Sequence, residues 1–153
     1  MLPVLRQSKL EYACYANGGV DGSILTGIMA HAAIHVFSLR PRIKELWSIV
    51  LRLLENEYRQ PRLQTIQLAL IDIYGRPTLN PGGNHVAISR VSGLDYIICI
   101  SLTDQAIGAA QLLGLHRDCS RWKLPKWERE SRHRLWWSLY IADKWYVVSR
   151  SVS

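Results

Sequence analysis

A chain of 153 residues, 48% hydrophobic and 20% charged, lies in the ordinary globular range and is long enough for one domain that buries roughly two-thirds of its unfolded surface. Its formal net charge of +7 suits an anionic partner or plain solubility, and speaks to association more than to fold. Cys14, Cys99 and Cys119 are odd in number, widely spaced and free of any C-x-x-C pair, which argues against both a disulfide framework and a zinc site and points to a reducing compartment.

The opening MLPVLRQSKLEY lacks the uninterrupted apolar core of a signal peptide. The most apolar later stretches, 24–37 and 66–74, are too short or too interrupted to span a bilayer. The expectation is a soluble intracellular protein with no membrane association. Residues 1–22 are poorly patterned and end in the Gly-rich NGGVDGS, so a loop or a frayed terminus is expected there. Ser23 is placed to cap a first helix, Ile24 to Phe37, whose continuous apolar residues suggest burial on most sides.

The second helix is clearer. Pro41 suits a first-turn position, and Ile43, Leu46, Trp47, Val50, Leu53, Leu54 and Tyr58 recur at three- and four-residue spacing, with Arg42, Lys44, Arg52 and Glu55 between them. After Pro61 the pattern repeats through Leu63, Ile66, Gln67, Leu70 and Ile73, stopped by Gly75 and Pro77, which makes an αα-hairpin. RPTLNPGGN reads as a loop, and His85 to Arg90 opens another helix. The only period-two alternation runs from Leu94 to Leu102. A last helix is expected from near Trp127, after Pro125, to about Tyr146, carrying Trp136, Leu139, Tyr140 and Trp145 on adjoining faces. The fold class is all-α, an irregular multi-helix arrangement.

No catalytic constellation emerges. His31 and His35 have the i,i+4 spacing of a shared metal, but Ala32 stands where a zincin needs Glu, so two histidines on a helix face is the better reading. His116-Arg117-Asp118 spells the start of a kinase catalytic loop, yet Lys123 occupies the place of the metal-binding Asn; a cap or turn role for Asp118 fits better. No G-x-S-x-G elbow is present, Cys119 sits beside Asp118, and the glycine clusters lack a strand-then-helix setting.

The stretch from Ala109 to Trp145 holds five of the six tryptophans. Arg117, Arg121, Lys123, Lys126, Arg129, Arg132 and Arg134 are interleaved with them and could grip a nucleic-acid backbone. Asp118, Glu128 and Glu130 dilute the run to a net +4, however, and Glu128 with Arg132, and Glu130 with Arg134, are favourable i,i+4 pairs of a solvated helix face. Each tryptophan buries about 150–250 Å², so most of them are expected in the core.

Within this stretch Leu112, Gly114, Leu115, His116, Arg117, Asp118, Trp122, Leu124, Pro125, Trp127, Glu128, Glu130, Arg134, Leu135, Trp136, Trp137, Tyr140, Asp143, Lys144 and Trp145 stand at fixed spacing. The segment closely resembles the fungal-specific transcription factor regulatory domain, the middle homology region of zinc binuclear cluster regulators, and weaker resemblance extends upstream to Ser38. The resemblance implies a helical, non-catalytic regulatory module of a nuclear transcription factor, acting through protein partners (a second copy or coregulators) or through effectors. Gly114, His116, Arg117, Asp118, Trp122, Pro125, Trp127, Glu128, Arg134, Trp136, Trp137, Asp143 and Trp145 would then be structural or regulatory motif residues, with no catalytic, cofactor or metal role. DNA would be read only by a separate Zn₂Cys₆ module, where any zinc would also lie; three scattered cysteines cannot supply one. The competing reading is a free-standing helical interaction or inhibitory protein without a DNA-binding domain of its own.

Two departures from the family pattern carry expectations. Residues 91–105, VSGLDYIICISLTDQ, separate NHVAISR from AIGAAQLLGLHRD, which would otherwise join as one helix. Val91-Ser92 can be encoded with a splice-donor sequence, Leu102-Thr103 with a branch-point-like one, and Gln105 by CAG; fifteen codons preserve frame. This reads as translated intron, the alternative being a genuine family-specific loop. After Trp145 the chain has YVVSRSVS, with Val148-Ser149 again able to encode a donor. The organisation expected is therefore a poorly ordered segment 1–22, a partial helical regulatory domain 23–147 with an insertion at 91–105, and a tail 148–153, incomplete at the C-terminus.

Overall fold

A computed structural model describes residues 21–75 and 93–151 of the chain. Among the described residues five α-helices follow in order: α1 Gly22–Ala33, α2 Ile43–Glu57, α3 Leu63–Gly75, α4 Gly93–Leu112 and α5 Lys126–Ser151, with a 3-10 turn Phe37–Arg42 leading into α2. Among the described residues there is no strand, so the all-α expectation holds.

The cap of α1 is Asp21 rather than Ser23. Its carboxylate accepts from the Ser23 backbone N–H at 3.0 Å, because an aspartate one residue before the first helical turn reaches an otherwise unpaired donor. The helix also stops at Ala33, short of Phe37. Pro41 has no N–H and restricts Arg40 before it; the chain crosses this stretch as a 3-10 turn, and the α2 segment leaves at 119° to α1. Phe37, at the corner, is 82% exposed. No single helix among the described residues is long and apolar enough to cross a membrane.

α2 behaves as its periodicity requires. Trp47, Val50 and Leu54 are buried, with Ile43, Leu46, Leu53 and Tyr58 packed partly against them, while Lys44, Arg52 and Glu55 face water. At its end Glu57 is a hub: its two carboxylate oxygens accept from Arg62 Nη2 at 2.8 and 2.9 Å, one also from Ser23 Oγ at 3.3 Å and the other from Thr65 Oγ1 at 3.0 Å. Arg62 adds an ion pair to Asp21 at 3.4 Å. The Thr65 hydroxyl accepts from the Arg62 N–H at 2.9 Å, which caps α3 and ties the starts of α1 and α3 to the end of α2.

α3 is the centre of the molecule. The expected single stripe of Leu63, Ile66, Gln67, Leu70 and Ile73 is exceeded, since Thr65, Leu68, Ala69, Ile71, Asp72 and Gly75 are buried too. The reason is topological: α3 is packed by α1 and α2 on one side and by α4 and α5 on the other. Gly27 lets α1 approach closely, because a Cβ there would stand 2.8 Å from Leu68 Cδ1. From α4, Thr103, Ala106, Ala109 and Ala110 are buried, a small-residue stripe that brings two helix backbones near one another. The alternation read over Leu94 to Leu102 lies inside α4 and is helical. Its apolar residues are also nearly continuous, a pattern that periodicity alone does not assign, and the length of the helical unit decides it. The His85 to Arg90 helix expected from sequence lies outside the described residues.

Candidate functional site

The motif-bearing stretch folds as the end of α4, a tight loop and α5. Leu115 N–H donates to Ala110 O at 2.9 Å and Gly114 N–H to Gln111 O at 2.9 Å, the two bonds of a Schellman ending, with Gly114 at φ +69° in the left-handed region that glycine enters freely. Leu115 then drops into the core. Asp118 makes the turn expected of it: Oδ1 accepts from the Ser120 N–H at 2.9 Å and Oδ2 from the Ser120 hydroxyl at 2.8 Å. Those bonds hold its carboxyl below the usual carboxylate range. His116 and Arg117 are exposed on the same loop. His116 lies against Trp136, with ring centroids 6.0 Å apart.

Two arginines read from sequence as members of a solvated run instead clamp the loop onto α5. Arg129 Nη1 donates to Ser120 O at 3.2 Å and to Trp122 O at 3.5 Å, and Cys119 Sγ contacts Arg129 O at 3.7 Å. Arg132 Nη1 donates to Leu113 O at 3.2 Å, and its guanidinium stands over the Trp122 ring at 5.3 Å. Both side chains are half-buried because they satisfy loop carbonyls that no helix can pair. The i,i+4 pairs Glu128 to Arg132 and Glu130 to Arg134 are present at 3.5 and 3.2 Å. Pro125 immediately precedes α5 and its carbonyl accepts from the Glu128 N–H at 3.0 Å.

α5 carries apolar residues on two opposite faces. Leu135, Leu139 and Ala142 are buried, and the Tyr74 hydroxyl of α3 donates to Ser138 O at 2.9 Å to fix the inner side. The outer face holds Trp137, 56% exposed, with Tyr140 and Ile141. Trp137 and Tyr140 meet edge to face at 5.5 Å and 84°, and Lys144 Nζ lies 5.3 Å from the Tyr140 ring centre while pairing with Asp143 at 2.8 Å.

The expectation that most tryptophans are core is therefore corrected. Trp47 is buried, Trp122 and Trp136 are half-buried, and Trp127 and Trp137 are exposed; the Trp145 side chain lies outside the described residues. Only one side of α5 has α3 and α4 to pack against, so an apolar residue on the other side stays in water. Among the described residues no group of three or more His, Cys, Asp or Glu is arranged to hold a metal ion, and His31 and His35 lie edge to face at 5.8 Å. The Glu57 hub and the Arg129 and Arg132 clamps were missed in the sequence, although Thr65 after Pro61 carries a visible cap signal.

The described residues thus form an all-α core in which a Gly-ended helix, an Asp turn and a tryptophan-rich helix are joined by arginine clamps. The profile described as "Fungal specific transcription factor domain" matches residues 30–150, and the chain belongs to that family. An uncharacterized transcriptional regulatory protein of Schizosaccharomyces pombe is 38% identical over 105 residues, 69% of this chain and 14% of that protein. The transcriptional activator protein DAL81 of Saccharomyces cerevisiae is 29% identical over 119 residues, 78% of this chain and 10% of its own length. The transcription factor asqA of Emericella nidulans is 51% identical over 39 residues, 26% of this chain and 7% of that protein. The chain thus spans about a tenth to a seventh of the first two relatives. No solved structure matches it.

Proposed function

We propose that this chain is a regulatory module of a fungal transcription factor that does not itself read DNA, working in the nucleus through protein or effector contacts and without catalysis. Family membership supports the setting, and the observation that carries the mode of action is the outer face of α5. Trp137, Tyr140 and Ile141 present rigid aromatic and aliphatic surface to solvent on a helix whose other face is anchored in the core. Exposed aromatic anchors beside charged residues are the composition of contact surfaces rather than of pockets for chemistry. The motif residues His116, Asp118 and Trp122 meanwhile stand in turn and packing contacts, which shape the end of the module that presents α5.

The test is a tethered reporter. The chain is fused between a heterologous DNA-reading domain and an activating segment, and compared with the fusion lacking it and with one carrying Trp137→Ser and Ile141→Ser. The intact chain is expected to change reporter output at equal expression, and the double variant to lose that effect. Output that is the same with and without the chain would overturn the reading.

A further inference from the structure

The Asp118 turn sets one hydroxyl on the surface in a cationic setting. His116, Arg117, Asp118, Ser120 and Arg121 are all exposed while Cys119 among them is buried, so the loop turns these polar side chains outward. The Ser120 hydroxyl donates to Asp118 Oδ2 at 2.8 Å. Arg129 Nη1 donates to the Ser120 carbonyl at 3.2 Å and to that of Trp122 at 3.5 Å, and Arg121 and His133 lie within electrostatic reach of Asp118. Arginine stands three residues before a hydroxyl residue at Arg62 and Thr65, at Arg117 and Ser120, and at Arg150 and Ser153. Thr65 is fully buried and its hydroxyl donates to Glu57 at 3.0 Å, and Ser153 lies outside the described residues. Ser120 combines the arginine with exposure.

We propose that Ser120 is a phosphorylation site, the acceptor for a protein kinase that reads arginine three residues before the hydroxyl, and that the phosphate loosens the loop clamped by Arg129. An exposed guanidinium at a fixed offset is what an acidic kinase groove pairs with. In the transfer the Ser120 oxygen attacks the γ-phosphorus of a magnesium-bound nucleoside triphosphate held by the kinase. A serine O–P bond forms, the bond from the γ-phosphorus to the β,γ-bridging oxygen breaks, the nucleoside diphosphate leaves, and the hydroxyl proton passes to the kinase's base. The product carries about −1.5 to −2 charges at pH 7 and only acceptor oxygens. It has no proton to give Asp118 Oδ2 and stands as a like charge beside that carboxylate, so the turn opens. The same phosphate competes for the Arg129 guanidinium, a better match than two carbonyls, and frees the Trp122 carbonyl. The link between the end of α4 and the start of α5 is thereby weakened at a residue outside the core.

The inference adds a modification to the module, and its test uses neither reporter nor partner, so its failure leaves the contact reading of α5 standing. The whole folded chain is incubated with magnesium ATP and a purified protein kinase that selects arginine at this offset, and the product is mapped by peptide mass spectrometry. Phosphate is expected on Ser120, with Thr65 left unmodified. Arg117→Ala, a change at an exposed side chain, should slow transfer on the order of tenfold, as loss of one charge-assisted contact does, and circular dichroism checks that this variant folds. Hydrogen exchange of the phosphorylated chain is then compared with that of the unmodified chain and of Ser120→Ala, which loses the hydroxyl but gains no charge. Amides of residues 113–124 should exchange on the order of tenfold faster after phosphorylation, with a much smaller change in Ser120→Ala and none in α3. A folded chain not modified at Ser120, transfer to Thr65 at an equal rate, transfer indifferent to Arg117→Ala, or loop exchange unaltered by the phosphate would overturn the proposal.

Discussion

Gly114 shows how one residue sets the path of the motif. Its φ of +69° is the left-handed conformation that ends α4 and sends Leu115 inward, and a Cβ there would meet Trp122 Cη2 at 3.5 Å and Arg117 Cδ at 3.9 Å, both ordinary contacts. The cost of Gly114→Ala is thus conformational, about 1–2 kcal/mol, and urea unfolding should register it as a lower midpoint with an unchanged slope. Tyr58 makes a different point. Its hydroxyl is buried without a hydrogen-bond partner among the described residues, and desolvation, with Asp72 nearby, pushes its pKa above the ordinary tyrosine range. A folded pKa raised above the unfolded value gives stability that is complete below pH about 10 and declines as pH rises past it. Tyr58→Phe removes both the stranded hydroxyl and this ionisation, so it should be neutral or stabilising by up to about 1 kcal/mol at pH 7 and should flatten the alkaline loss. Stability measured at pH 7 and pH 11 checks it; a large loss at pH 7 would count against it.

At the scale of elements, α4 brings the reading of residues 91–105 to a test. The helix runs without a break from Gly93 to Leu112, across the junction of Gln105 and Ala106, with Thr103 buried and Asp104 and Gln105 exposed. Deleting 91–105 joins Arg90 to Ala106 and puts Ile88 in the register of Thr103, with Ser89 and Arg90 in those of Asp104 and Gln105. The deleted chain puts an apolar residue in place of Thr103 at the inward position and keeps polar ones outside, so the expected outcome is a continuous helix into the LLGLHRD motif and a more helical, more soluble chain. Circular dichroism and size-exclusion chromatography of both proteins decide it. A full chain that folds cooperatively and is destabilised by the deletion would show the segment to be a native element. α5 carries the complementary lesson: its inner and outer faces are both apolar by sequence, and only the packing of α3 and α4 divides them into core and surface.

For the molecule as a whole, the basic balance has a bounded consequence. Of the basic run from Arg117 to Arg134, Arg129 and Arg132 are engaged with loop carbonyls and Arg134 with Glu130, which leaves a solvated face rather than a reading surface. Duplex DNA should therefore bind weakly, without sequence preference, and with an affinity that falls steeply between 50 and 200 mM salt, as phosphate contacts alone require. Salt-resistant binding to one sequence in a titration would contradict this.

The sequence by itself determined the helical class, the stripe of α2, the hairpin of α2 and α3, the Asp118 turn and the family motif, because each rests on local spacing or on a side chain bonding to its own backbone neighbours. It also located the two i,i+4 pairs of α5. Only the tertiary structure decided that α3 is buried nearly all round, that Asp21 rather than Ser23 caps α1, that Arg129 and Arg132 are clamps, and that Trp127 and Trp137 face water. Those outcomes depend on which faces have a neighbour and which carbonyls lack one, and residues far apart in the chain supply both; a periodicity can mark a face as apolar but cannot say whether anything covers it.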